Sequence, residues 1–442
     1  MSVFRTTPRA SNVPSGRLTR LALLGTMTTS VAGNMAVAGL REAARGKKLD
    51  AKDLLLTPSN IRRIADDLAR MRGAAMKIGQ LLSMDTGDIL PPELNQIMAR
   101  LRADADYMPP KQLKTVLNKS WGDKWLRQFE RFDVRPVAAA SIGQVHRAKT
   151  RDGRDMAIKV QYPGVARSID SDVANVAALI RVSGLIPKGF ELKPYMEEAR
   201  RQLHEEADYE REGQFLQSFR RLLRDDNAFV VPELHADYTT KHVLAMSFVT
   251  SHPIEDAFKL DQKQRNQITE NLVTLLLREL FEFGLMQTDP NFANYRFDPI
   301  TGRIVLLDFG ATRRFQSKIV DQYRRLFQFG IAGDSEGLRA IALEIGFIVP
   351  ETEAHHQQAL LDMIEMAFTA FRDQEAFNFG NTVLVQKMNN AANALAADGF
   401  VPPPVPMDVL YLQRKFGGMF LLANRLKAHL PITEIVRRFV PI

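Results

Sequence analysis

The stretch Gln287-Thr288-Asp289-Pro290-Asn291-Phe292-Ala293-Asn294 is followed, after an apolar run, by Asp308-Phe309-Gly310. Carboxylates and a carboxamide in this order suit phosphoryl transfer. That reaction needs a carboxylate on the acceptor side and oxygen ligands that keep magnesium on the nucleotide phosphates. Asp289 and Asn294 stand in a D-x-x-x-x-N pattern, the spacing such a loop uses. Asp308 ends an apolar strand expected at 303–307, so its carboxylate emerges where a metal can be met. Each piece alone is weak, since Asp-Pro-Asn is also a common turn. Together and in order, with a strand lysine upstream, chance explains them poorly.

That lysine is Lys159, in the β-branched run Met156-Ala157-Ile158-Lys159-Val160. An ammonium in a buried strand needs a counter-charge, because an unpaired buried cation is expensive. Glu205, Glu206, Asp208, Glu210 and Glu212 are the candidates, on a strongly charged helix expected at 191–224. Most of that helix reads as a solvated face with local ion pairs such as Asp208 with Arg211. Just before the lysine strand, where a glycine-rich G-x-G-x-x-G phosphate loop would stand, the chain reads Val137-Ala138-Ala139-Ala140-Ser141-Ile142-Gly143. Further forward, Lys77 and Gln80 are three apart and share one helix face. By themselves they read as ordinary surface residues.

The elements that must position these groups follow from periodicity and turn chemistry. Helices are expected at 58–84, 92–101 and 111–129. Strands are expected at 143–149 and 155–161 around an Arg151-Asp152-Gly153-Arg154 turn, and at 229–234 and 242–249. From Gln264 onward helices dominate. Strands in the middle and helices after them predict a two-lobed α+β protein with a helical extension in front. The expected divisions are a basic segment at 1–50, the helical extension at 51–125, a first lobe at 126–250 and a helical lobe at 251–442.

At 442 residues, 45% apolar and 25% charged, the chain fits a globular protein of two or three subdomains. It has no cysteine, which excludes disulfides, thiol nucleophiles and cysteine-held metals. The net charge of +8 is concentrated at the front. Arg5, Arg9, Arg17, Arg20, Arg41, Arg45, Lys47 and Lys48 face only Glu42 within residues 1–48, and Leu21 to Leu40 carries no charge at all. This predicts contact with an anionic membrane surface; a solvated arm and a transit peptide are the alternatives. Thr26, Thr28, Thr29, Ser30 and Asn34 make the stretch too polar for a typical spanning helix. No basic-aromatic stripe continues into the folded part, so nucleic acid is not an expected partner.

In combination these residues resemble the UbiB-type atypical kinase family, including its coenzyme Q branch. The resemblance runs through a KxGQ motif (Lys77, Gly79, Gln80), the alanine-rich loop (Ala138, Ala139, Ala140, Ser141), Lys159, an ExD motif (Glu206, Asp208), the QTDPN loop, Asn294 and the DFG at 308–310. It extends from about residue 15 to near the C-terminus. KxGQ with the alanine loop is far more specific than DFG. The resemblance implies a protein-kinase-like fold with a family-specific N-terminal helical extension packed across the active-site mouth. It implies ATP and Mg2+ as cofactors and Glu212 as the partner of Lys159. Glu206 and Asp208 would face Lys77, Asp289 would be the catalytic-loop aspartate, and Asn294 and Asp308 the magnesium ligands. Adenine would meet backbone at Met246, Ser247, Phe248 and Val249. On one continuous helix, at about 100° per residue, Glu206 and Glu212 would lie roughly 120° apart and Glu205 nearly in line with Glu212.

Family members are ATPases that support ubiquinone biosynthesis and are not regarded as conventional protein kinases. The sequence agrees on two counts. After Gly310 it runs Ala-Thr-Arg-Arg-Phe and enters a helix near Gln316, leaving no long activation segment and no Ala-Pro-Glu. Gln287-Thr288 also replaces His-Arg before Asp289. The expected function is therefore an ATP/Mg-dependent atypical kinase or ATPase in ubiquinone biosynthesis. The alternatives are a kinase of a prenylated or phenolic quinone precursor and a nucleotide-binding scaffold for quinone-biosynthesis enzymes. A quinone precursor, those enzymes and a second copy of the chain are the further expected partners. The expected place is the cytoplasmic side of a bacterial inner membrane, because family sequence begins almost at Met1; the mitochondrial matrix face is the alternative.

Overall fold

A β-branched strand needs a neighbour on each edge, and the turn at Arg151-Asp152-Gly153-Arg154 supplies the first. Gly153 sits at φ +95°, a conformation a side chain resists, and reverses the chain there. The computed structural model describes residues 107–183, 192–400, 402–403 and 405–441. The helices expected at 58–84 and 92–101, the Lys77-Gly79-Gln80 motif and the basic N-terminal segment lie outside the described residues.

The described chain divides into two units. The first holds the described residues up to Gln214 together with Glu233–Phe248. Its sheet runs in the order Phe129–Phe132, Gly143–Thr150, Asp155–Gln161, Val243–Ser247, with the short Ala138–Ala139 strand also paired to Gly143–Thr150. All pairings are antiparallel. Lys159 lies opposite Val145 on one side and Leu244 on the other. Every residue from Met156 to Gln161 is buried, so this is a central strand covered on both faces.

Two helical expectations are corrected here. The helix expected at 111–129 ends at Trp121, where Gly122 takes φ +81°. A 3-10 turn over Trp125–Gln128 and a strand over Phe129–Phe132 follow it. Trp121, Trp125, Phe129 and Phe132 pack into one aromatic cluster, which draws the chain out of helical register. The charged helix expected at 191–224 is two helices, Leu192–Glu206 and Tyr209–Leu222. Asp208 causes the break, because its Oδ1 accepts from the Arg211 N–H and caps the second helix. Angular arguments drawn on one continuous helix therefore fail across residues 207–208. The strand expected at 229–234 is also shorter, covering Phe229–Val230.

The second unit holds Phe215–Pro232 and the chain from Val249 onward. A four-stranded sheet runs Phe229–Val230, Ile304–Leu306, Tyr295–Phe297, His252–Pro253. A separate pair joins Leu285–Gln287 to Thr312–Arg314. Around these strands stand helices, of which Gln262–Phe281 and Met407–Arg425 pack together over buried Leu272, Leu276, Leu280, Leu412 and Leu422. Asp261 caps the first of these by accepting from the Gln264 N–H. Among the described residues no helix is long and apolar enough to cross a membrane.

Candidate active site

Lys159 and Glu212 form the central pair of the first unit. The Lys159 Nζ donates to both carboxylate oxygens of Glu212, at 2.8 and 3.0 Å. The residues are 7% and 1% exposed, so the pair is held out of water. The Tyr209 ring lies 5.2 Å from Nζ and adds its negative face to the lysine's surroundings. Gln161 donates to the Ala207 carbonyl at 2.8 Å, tying the lysine strand to the chain between the two charged helices. Of the five carboxylates left open by the sequence, Glu212 is thus the one that meets Lys159. Glu205 instead pairs with Arg201 and Arg211, at 3.3 and 3.5 Å, and burial pushes its carboxyl above the ordinary value.

The alanine loop is a tight hairpin. Ala138 and Ala139 pair with Val145 and Gln144, and the Ala140 N–H donates to the Gly143 carbonyl at 2.8 Å. Gly143 is required at its position, since a Cβ there would stand 2.5 Å from the Val160 carbonyl oxygen and 2.6 Å from the Tyr209 hydroxyl. Ser141 donates to Glu206 Oε2 at 3.0 Å, linking the hairpin tip to the ExD motif. Met246 and Ser247 close the Val243–Ser247 strand, where Met246 pairs with Ala157. The Phe248 N–H donates to the Asp155 carbonyl, and the Phe248 ring lies under the Arg147 guanidinium at 4.2 Å. Val249 opens the second unit.

In the second unit, Asn294 folds back on the loop that carries Asp289. Its amide donates to the Asp289 carbonyl at 3.2 Å and to Asp289 Oδ2 at 3.3 Å. Asn291 shapes that fold by accepting from the Ala293 N–H. The Leu307 N–H donates to the Asn294 carbonyl, which registers the strand leading to Asp308 beside the loop. Asp308 Oδ1 accepts from the Gly310 N–H at 3.0 Å, and Phe309 is buried against Phe219. The sequence-derived carboxylates and amide are thereby brought together, and they present hard oxygen donors of the kind magnesium takes. The chain after Gly310 then pairs Thr312–Arg314 with Leu285–Gln287 before the Ser317–Ala332 helix begins.

Residues of the Met407–Arg425 helix that sequence reasoning missed support this loop. Arg414 donates to Asp289 Oδ1 at 2.8 Å. Its neighbour Lys415 is 1% exposed and donates to the Tyr295 hydroxyl at 2.5 Å and to Gln287 Oε1 at 3.2 Å, with Glu279 at 3.6 Å. Burial pushes the Glu279 carboxyl up to about 7. Burial by itself would lower Lys415, but Glu279 and Tyr295 outweigh it and hold the ammonium above its ordinary value. The available signal was Gln413-Arg414-Lys415 interrupting an otherwise apolar run, Val409 to Ala423. Pro290 rests on Gly418, where a Cβ would come 2.2 Å from the proline Cβ.

An antiparallel sheet carrying a buried strand lysine, followed by a helical unit with an Asp-x4-Asn loop and a DFG, is the architecture of a protein-kinase-like enzyme. The ABC1 atypical kinase-like domain matches residues 100–342, and the chain belongs to that family. It is 37% identical over 433 residues to the mitochondrial atypical kinase COQ8 of Saccharomyces cerevisiae, covering 98% of this chain and 86% of that one. It is 35% identical over 420 residues to the mitochondrial atypical kinase COQ8B of Danio rerio, covering 94% and 67%. Among solved structures, Rv3197 of Mycobacterium tuberculosis in complex with erythromycin matches with a TM-score of 0.60 at 22% identity. That match covers 92% of this chain and 98% of Rv3197, and it supports the kinase-like fold.

Proposed function

We propose that this chain binds Mg-ATP and cleaves or transfers its terminal phosphate in support of coenzyme Q biosynthesis at a membrane. The observation that carries the reading is the buried Lys159–Glu212 pair, with both oxygens engaged at 2.8 and 3.0 Å. Burying two charges costs several kcal/mol per ion before their attraction is counted, so such a pair is poor material for a structural core. It is suitable for holding a lysine ready for phosphate oxygens.

In this reading Lys159 meets the phosphates and Glu212 holds it in place. Asp289 orients the attacking hydroxyl or water, with Asn294 supporting its carboxylate. Asn294 and Asp308 would hold magnesium, which when bound neutralises phosphate charge. Ala138, Ala139, Ala140 and Ser141 cover the phosphates, and the Met246–Val249 backbone receives adenine. Lys77, Gly79 and Gln80, from a helical extension at 51–125, screen the site together with Glu206 and Asp208. The identity of the COQ8 relatives, at 37% and 35%, supports the coenzyme Q assignment. The basic segment before residue 50 supports peripheral attachment to an anionic inner membrane, bacterial or mitochondrial.

The paired Thr312–Arg314 segment supports a non-peptide acceptor, because the chain after the DFG is committed to a strand. A phenolic or prenylated quinone precursor is the second reading. ATP turnover by the full chain, with and without anionic liposomes and phenolic precursors, tests both. Turnover stimulated by either addition and lost in Asp308→Asn is expected. A precursor gaining the mass of a phosphate would select the second reading. Full rescue of a quinone-deficient strain by Asp308→Asn would leave only a scaffold.

A further inference from the structure

Two consecutive histidines of the second unit point at one carboxylate oxygen. His355 Nε2 lies 2.8 Å from Asp398 Oδ2, and His356 Nε2 lies 3.0 Å from the same atom. Their rings are 4.0 Å apart. His356 is 7% exposed and leans on Phe400 at 5.2 Å, which fixes its direction. Glu353 Oε2 stands 3.4 Å from His355 Nδ1. Candidate ligand atoms of Glu353, His355 and His356 all lie within 4.8 Å of one another. None of these residues serves the phosphate chemistry described above.

We propose that His355, His356 and Asp398 form a binding site for a divalent transition-metal ion of the zinc type, with Glu353 orienting the His355 ring from behind. Two imidazole nitrogens and one carboxylate oxygen suit zinc and its neighbours better than magnesium. Tetrahedral zinc holds its ligands at about 2.0–2.1 Å, which separates them by roughly 3.3 Å. The two nitrogen-to-oxygen distances, 2.8 and 3.0 Å, are a few tenths of an ångström shorter than that. A carboxylate on the far nitrogen of a metal-bound imidazole fixes its tautomer, and Glu353 stands at that nitrogen.

The helix ends favour a metal over a simple ion pair. His355 and His356 lie in the first turn of the Ala354–Arg372 helix. Asp398 caps the carbonyl end of the Val383–Ala397 helix, where an added anion is unfavourable and a cation is welcome. Both ring nitrogens reach the same oxygen of this carboxylate, Oδ2. Gly399, at φ +82°, turns the chain there and brings Phe400 round onto His356. A metal here would fasten the start of one helix to the end of the next.

The test uses the untagged full chain, stripped with EDTA and free of nucleotide, titrated with Co2+ and then Zn2+. One Co2+ per chain, with the visible bands of a four-coordinate site and displacement by Zn2+, is expected. His355→Ala and Asp398→Asn change exposed side chains and should weaken binding about 10-fold or more. Asp308→Asn should leave it unchanged, which separates this site from the nucleotide metal. Zinc should raise the melting temperature of the parent chain and not that of His355→Ala. Absence of cobalt bands would overturn the proposal, as would bands that survive His355→Ala but not Asp308→Asn. A stabilisation that follows pH and ignores zinc would overturn it in favour of a protonated imidazole–carboxylate clamp.

Discussion

Arg414 donates to Asp289 at 2.8 Å, so the aspartate of the QTDPN loop has its counter-charge on a helix 125 residues further along the chain. Both side chains are mostly buried, at 12% and 19% exposure. The guanidinium fixes the direction of the carboxylate as well as compensating its charge. Arg414→Ala should reduce ATP turnover by about 10-fold or more, since small misplacements of a reacting group carry such penalties. Arg414→Lys should recover only part of it. Steady-state turnover of the two variants tests this, and unchanged rates in both would remove Arg414 from the site.

Lys159 and Glu212 should be strongly coupled. Glu212→Gln removes the carboxylate that both accepts from and balances the buried ammonium, and should cost about 3–5 kcal/mol. The double variant Lys159→Met with Glu212→Leu removes both charges and should be more stable than Glu212→Gln, while losing ATP affinity. Urea unfolding of the single and double variants decides the matter. Additive losses would show that the pair is not a unit.

Glu279 sets a pH dependence whose sign is fixed. Its folded carboxyl is pushed by burial from the ordinary 4.5 to about 7. Between those values the unfolded chain has released this proton while the native protein keeps it. Stability contributed at this site therefore falls as pH rises across the window and is flat above it. Glu279→Gln should flatten the slope of unfolding free energy between about pH 5 and 7. An unaltered slope would mean that another group is responsible.

Adjacent glycines in the Met407–Arg425 helix should behave oppositely. A Cβ at Gly418 would meet Pro290 at 2.2 Å, whereas one at Gly417 has nothing within 4 Å. Gly418→Ala should displace the QTDPN loop, lower turnover and cost about 1–3 kcal/mol. Gly417→Ala should keep turnover and gain up to about 1 kcal/mol of helix propensity. Melting temperatures and ATPase rates measured on both give the comparison.

The alanine hairpin should tune nucleotide binding without supporting the fold. Ala140 closes the hairpin through its backbone N–H, and a glycine retains that bond while loosening the backbone. Ala140→Gly should alter the ratio of ATP to ADP affinity and change stability by no more than about 1 kcal/mol. Calorimetric titration with the two nucleotides would reveal an unaltered ratio.

Much of this was legible in the sequence because short motifs carry their own geometry. The Gly153 turn, the two strands beside it, the Asp289–Asn294 spacing and the immediate strand after DFG are local patterns. Glu212 was not separable from Glu205 by spacing, because seven residues bring them into line on one helix, and the break at Asp208 that sets them apart was not foreseen. The helix that stopped at Trp121 yielded to an aromatic cluster, a tertiary effect that periodicity does not register. Arg414 and Lys415 were visible only as charges in an apolar helix. Their partners lie more than a hundred residues away, and pairing over that distance leaves no local signature. His355 and His356 lie 43 and 42 residues from Asp398, which is also too far for a local signature.

The strand at Thr312–Arg314 bears on how this protein can be controlled. Many kinases are switched by a mobile segment after the DFG that orders only when phosphorylated. Here that stretch is spent on hydrogen bonds to Leu285–Gln287, and the Thr312 side chain is fully buried. Among the described residues, the stretch after the DFG is therefore a paired strand rather than a free loop for a covalent mark to order. A switch that works by ordering this segment is thus unlike what the fold provides, and control of turnover is to be sought in what reaches the site.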